Sequence, residues 1–316
     1  MPRENILTSQ TARDDFLDGV RQLDQESSGI TAANLFTWLQ NNGINLSMQG
    51  VNQNLSTYDL FVFWHVVAMT IPLATGNMAH AGPIFLPWHR MYLIRLEEQV
   101  RRILQKPNFF LPYWDWAADG QLGEVAQRQT QLWTSQYLGE SRGQVASGLT
   151  SQIQVRLTQV NTLSGSVLVS HAPRNLERNA GSDVRTLPDK TDTAQAMNES
   201  IYDQAPWSVN SSGFRNRLEG WINGPQLHNR VHVWVGGDMG PGTSPNDPVF
   251  YLNHCNVDRI WEAWMVANGR NYLPVTPMGA QGHRLNDLML SILDASMRPS
   301  DVLDPNPWYT YDSLVV

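Results

Sequence analysis

His228 and His232 stand four residues apart in the stretch Leu227 to Trp234. On an α-helix that spacing sets two imidazoles on one face, with Cβ atoms about 5–6 Å apart. A third imidazole, His254, follows a turn carrying Gly236, Gly237, Gly240 and Gly242, which can fold the next helix back. Three neutral nitrogen ligands and no carboxylate suit copper or zinc. They argue against calcium, magnesium or a carboxylate-bridged di-iron site. A second set, His65, His80 and His89, lies in or beside a run from Leu60 to His89 that contains no Asp, Glu, Lys or Arg. Each buried imidazole needs a polar partner, and one metal can serve all three. Six imidazoles in two sets, without thiolate or carboxylate, point to a pair of copper ions. A zinc metalloprotease would need glutamate directly after the first histidine of the pair, and Asn229 stands there. His171 and His283 are isolated and read as structural or surface residues.

These side chains must be positioned by helices. Thr11 to Asp14 reads as a capping box, and Phe16, Val20 and Leu23 follow at helical spacing, so residues 12–25 are expected to be helical. Residues 27–57 are polar, with one apolar knot at Leu35, Phe36, Trp38 and Leu39 that suggests a short helix between loops. The charge-free run is broken by Pro72, Gly76, Gly82, Pro83 and Pro87, which excludes a membrane span. It reads instead as a buried helix over 57–71 followed by a buried loop. Pro87 then opens a helix whose Leu93, Leu96, Val100 and Ile103 share one face. The aromatic segment from Phe109 to Trp116 reads as a wall of the core. Residues 117–210 show weak periodicity and read as loops and short elements. Phe214, Leu218 and Trp221 mark a short amphipathic helix carrying Glu219. Val257, Ile260, Trp261 and Trp264 define the last strong helix, and Asp258, one turn from His254, is placed to orient that imidazole.

Composition narrows the classes of function. The 316 residues give a length prior of about two domains, yet a hydrophobic fraction of 41% is ordinary for one globule. A formal charge of −7 offers nothing to nucleic acid or to an anionic membrane. The single cysteine, Cys255, excludes an intrachain disulfide. Arg3, Glu4, Arg13, Asp14 and Asp15 precede any apolar run, unlike an ordinary signal peptide, so the expected location is cytoplasmic, or exported by another route.

Several segments resemble a known family. HAGPIFLPWHR at residues 80–90, followed by Glu97, resembles the first copper signature of tyrosinases, and DPVFYLNHCNVD at 247–258 resembles the second, shared with hemocyanins. The likeness continues through REN at 3–5, YWDW at 113–116, FRN at 214–216 and YTY at 309–311, and is nearest to actinomycete-type bacterial members. It implies a mainly α fold in which a four-helix bundle holds a dinuclear copper site, with long loops and few short strands. Residues 1–316 would then form a single catalytic domain, without a covering lid. It implies two copper ions on His65, His80, His89, His228, His232 and His254, with O2 and a phenolic small molecule as substrates. Monophenols would be ortho-hydroxylated and o-diphenols oxidised to o-quinones. A catechol-only or o-aminophenol oxidase and a hemocyanin-like oxygen carrier are the alternatives within the family. Glu219 and Asn229 match the residues that hold a proton-accepting water, and some bacterial members take copper from a small delivery protein. Two departures stand out. Met78 occupies the place where fungal and plant relatives often carry a cysteine thioether-linked to the second histidine. Asn253 precedes His254 where several bacterial relatives have a second histidine. The flexible turn from Gly236 to Gly242 is expected to leave the copper face accessible.

Overall fold

The computed structural model describes residues 2–70, 77–163, 165–275, 277–293 and 297–316. Its helices are α1 (Gln10–Gln25), α2 (Ala32–Asn41), α3 (Thr57–Thr70), α4 (Phe85–Leu104), α5 (Trp116–Gly120), α6 (Glu124–Gln127), α7 (Lys190–Met197), α8 (Phe214–Glu219), α9 (Leu227–Val235) and α10 (Val249–Asn268). The chain is mainly helical, as expected. The α1 helix starts earlier than its sequence suggests: Ser9, not Thr11, is the cap, and its Oγ accepts from Ala12 N at 3.3 Å. Ser9 wins because Glu4 fixes its hydroxyl at 2.8 Å, leaving Thr11 inside the first turn. The expected end of the third helix, residue 71, and the loop residues 72–76 lie outside the described residues.

α3 is buried on nearly every face, which explains why it carries no Asp, Glu, Lys or Arg after Asp59. α4 packs against α1 so closely that a Cβ on Gly19 would meet Val100 Cγ1 at 2.5 Å. Phe109, Leu111, Tyr113, Trp114 and Trp116 are buried and form the expected aromatic wall. α10 is longer than its amphipathic half suggests, and buried residues line it from Val249 to Met265. No helix among the described residues is long and apolar enough to cross a membrane.

The weakly periodic region contains more order than its composition signals. Strands β1 (Pro2–Arg3), β2 (Ser27–Thr31), β3 (Ser47–Gly50), β4 (Asn54–Ser56), β5 (Arg142–Gln144), β6 (Gln154–Thr162), β7 (Gly165–Asn175), β8 (Glu177–Asn179) and β9 (Thr310–Tyr311) form four small sheets. β6 and β7 make an antiparallel hairpin, and β3 joins the far side of β7 in parallel. This sheet and α2 cover α3 with a second apolar cluster that includes Leu35, Leu39, Val62, Val66, Leu157 and Leu168. The hairpin was hard to read because only Val155 and Leu157 alternate inward before β6 turns exposed.

The two ends of the chain are tied to the same helices. β1 pairs with β9, and the buried Arg3 guanidinium contacts Glu97 of α4 at 3.0 Å and Asp258 of α10 at 3.3 Å. Arg90 Nε donates to Asp258 at 2.6 Å, and the Tyr309 and Tyr311 hydroxyls donate to the same carboxylate at 2.5 Å each. Asp258 therefore does not orient an imidazole, contrary to the expectation from its spacing. Two guanidinium groups and two phenols occupy it. Burial alone would push this carboxyl upward, but Arg90 and Arg3, with the tyrosine hydroxyls, bring it below the usual range.

Candidate metal centre

Five of the six histidines come from four helices: His65 from α3, His89 from α4, His228 and His232 from α9, and His254 from α10. His80 comes from the loop between α3 and α4. Within each set, His65/His80/His89 and His228/His232/His254, one nitrogen from each ring lies within 4.8 Å of the others. The two sets face one another. The rings of His89 and His254 stack at 4.1 Å between centroids, with 13° between planes. Phe85 and Phe250 pack against the hexad: Phe85 meets His80, His89, His228 and His254, while Phe250 meets His65, His89, His232 and His254. These two phenylalanines lie in the signature segments, yet nothing in their spacing marked them as ring supports.

Four imidazoles have their tautomer set by an oxygen. His65 Nδ1 donates to Gly242 O at 2.6 Å, His89 Nδ1 to Phe85 O at 2.8 Å, and His232 Nδ1 to Met239 O at 2.8 Å. His228 Nδ1 donates to Asn229 Oδ1 at 2.9 Å. An oxygen of this kind only accepts, so each Nδ1 carries the proton and each Nε2 keeps a bare lone pair. The Nε2 atoms of His65, His89 and His232 are buried without a partner. His228 Nε2 and His254 Nε2 stand 3.1 Å apart. Burial holds every ring neutral: it depresses His65 to about 3 and His232 to about 4, and drives the other four well below the usual imidazole value. Neutral, converging nitrogens, three of them unpartnered, form a donor set that fits a pair of borderline-soft metal ions, copper foremost.

The glycine turn does more than open a path. Its Met239 and Gly242 carbonyls hold one imidazole of each set, so it acts as a clamp rather than as the flexible element expected from its composition. Gly242 has little room, since a Cβ there would stand 2.1 Å from Gln159 Oε1 on β6. The turn also lines one side of a cavity of about 400 Å³ that reaches His65, His80, His228 and His232. Asn229, Val209 and Trp221 line the cavity too. Trp221 lies beyond the end of α8 and is 43% exposed, so it belongs to the mouth and not to an apolar helix face.

The remaining candidates fall in different places. Glu219 is fully buried: Oε1 accepts from Ala81 N at 2.6 Å and Oε2 from Arg215 Nη1 at 2.8 Å. Burial raises its pKa against the pull of Arg215. Its own carbonyl also lies 3.3 Å from His228 Nδ1. Neither His171 nor His283 joins a metal-ligating group among the described residues. His171 Nδ1 donates to Ala172 O on β7, and His283 is a buried residue of the C-terminal segment. Cys255 is buried outside both triads, and burial pushes its thiol up to about 12.

Known proteins share this pattern. The family model described as the common central domain of tyrosinase matches residues 55–267. The chain is 38% identical over 260 residues to tyrosinase from Streptomyces glaucescens, covering 81% of this chain and 89% of that one. It is 32% identical over 288 residues to grixazone synthase from Streptomyces griseus, covering 81% and 90%. Two solved structures share the fold. A functional unit of octopus hemocyanin has a TM-score of 0.56 at 17% identity, covering 99% of this chain and 68% of that one. Grenache (Vitis vinifera) polyphenol oxidase has a TM-score of 0.58 at 19% identity, covering 99% and 85%.

Proposed function

The chain belongs to the tyrosinase family, and from that premise we propose that His65, His80 and His89 hold one copper ion and His228, His232 and His254 the other. The protein is a dinuclear copper oxidase that uses O2 on phenolic substrates. The pair of ions supplies the two-electron redox chemistry with O2 when bound. The observation that carries the ligand assignment is the set of buried Nε2 atoms left bare on His65, His89 and His232, with those of His228 and His254 facing each other.

The chain's own side chains then bind and deprotonate. The exposed face of Trp221 at the cavity mouth suits an aromatic ring, and Asn229 lines the same cavity. A monophenol has a pKa of roughly 10 and arrives protonated. Asn229 and Glu219 are read as the pair that holds a water to accept that proton. Two things support this: Asn229 fixes the His228 imidazole, and burial makes the Glu219 carboxylate a stronger base. Residues 1–316 act as one catalytic domain in this reading, which is supported by the two triads meeting across one core. Copper supply by a small partner protein belongs to the same proposal.

Oxygen uptake by the copper-loaded protein, measured on a monophenol, an o-diphenol and an o-aminophenol, tests the substrate assignment. Turnover of the first two is expected. Turnover of only the o-diphenol or o-aminophenol would replace it with the catechol or aminophenol alternative. Asn229→Asp and Glu219→Gln should lower monophenol turnover by about 10²-fold or more, the scale of a general base, and o-diphenol turnover by less. Equal losses on both substrates would remove the pair from proton transfer.

A further inference from the structure

His80 is set apart from the other ligands of the first triad. It stands on a loop, and its Nδ1 is buried without a partner, whereas His65 and His89 each give that nitrogen to a carbonyl. Its ring is therefore aimed by the backbone that carries it. That backbone is held from several sides. Met78 N donates to Ala68 O at 3.0 Å. Ala79 N and His80 N both donate to Asn77 Oδ1 at 2.8 Å. Ala81, in the left-handed region at φ 59°, donates its N–H to Glu219. Asn77 is thus the hub of the turn, and what fixes Asn77 fixes His80.

His283 does this from the far end of the sequence. Its Nε2 lies 2.6 Å from Asn77 O. A carbonyl only accepts, so His283 carries its proton on Nε2 and is a donor. The ring lies directly on the loop: a Cβ on Gly82 would meet His283 Nδ1 at 2.5 Å. The residue is itself clamped. Gly282 N and Arg284 N donate to Asp287 Oδ2 at 2.7 and 3.2 Å, and the Tyr272 hydroxyl donates to His283 O at 2.7 Å. At 2% exposure it has no access to substrate.

We propose that His283 is a positioning residue that aims His80 at the metal through Asn77, tying the C-terminal segment to the first triad alone. The proposal rests on the ligand assignment given above. Groups bonded directly to a ligating imidazole change metal affinity by about 10–100-fold when removed, and His283 acts one contact further out, at the low end of that range. The test is copper release from the loaded full chain to a chelator, in two backgrounds. One carries His232→Ala and keeps only the first triad; the other carries His89→Ala and keeps only the second. His283→Ala should speed release about 10-fold or more in the first background and leave the second unchanged. His283→Gln, whose amide N–H reaches where Nε2 does, should restore the slow rate, while the shorter His283→Asn should not. Equal acceleration in both backgrounds, no acceleration, or a Gln variant no better than Ala would overturn the proposal. If His283→Ala cannot be recovered folded, the His283→Asn variant takes its place in both backgrounds, with the same comparison against His283→Gln. Failure of the ligand assignment looks different: the parent single variants would not retain one copper each.

Discussion

The two triads reach the same donor set by unequal means. His228 and His232 ride one turn apart on α9, so the helix period sets them on one face, Asn229 Oδ1 and Met239 O fix their rings, and His254 completes the set from α10. His65, His80 and His89 come from α3, a loop and α4, and no period relates them. Their convergence depends on the Gly242 and Phe85 carbonyls, the Asn77 turn and the His283 contact. A pair of ligands written in one helix keeps its spacing by default. A site gathered from three segments must be braced from outside itself, and those braces are where substitutions separate the two.

The largest expected effect falls on what the triads share. Arg90 follows His89 on α4, and Asp258 lies one turn beyond His254 on α10, so their 2.6 Å ion pair locks the two halves together. Arg90→Ala leaves a buried carboxylate with less compensation and should cost about 3–5 kcal/mol in denaturant unfolding. A loss below about 1 kcal/mol, the scale of a surface pair, would show that the halves are held by packing alone.

The next effect separates the triads. Asn77→Ala would remove the Oδ1 that holds Ala79 N and His80 N at 2.8 Å and free the turn that carries His80. Copper affinity of the first triad, measured in the His232→Ala background, should fall about 10–100-fold. Asn77→Asp, which keeps an acceptor oxygen at that place, should recover most of that loss. An unrelieved loss, or one equally deep in the second triad, would erase the distinction.

The smallest effects are expected at residues that resemble ligands by type. Cys255→Ser should keep both coppers and lose about 1–3 kcal/mol of stability, because it buries a hydroxyl in place of a thiol. His171→Ala should change neither copper content nor turnover. Loss of copper in either variant, by elemental analysis, would add a ligand outside the two sets.

The asymmetry between the triads also governs what could be read from sequence. The second triad was visible in a four-residue spacing. The first was visible only as three histidines in a charge-free run, because burial without charge is a composition signal. The helices were legible where an apolar stripe had one period, as in α1, α4 and α10. The β6–β7 hairpin was not, because its outer half is exposed and its inner face is brief. The role of Asp258 is hidden for a related reason: spacing shows which residues share a helix face, but not that Arg3 and Tyr311, far apart in the chain, converge on the same carboxylate. The roles of Gly242, Met239 and His283 were hidden because backbone carbonyls have no residue type, and a buried histidine donor looks like any isolated histidine.

The central claim is that each triad holds one copper. Elemental analysis of the loaded chain, His89→Ala, His232→Ala and the double variant, each checked for folding, tests it most directly. The account predicts about two, one, one and no copper ions per chain, the counts of a dinuclear site that loses one ion with each ligand set. Two coppers retained in either single variant, or any retained in the double variant, would contradict it.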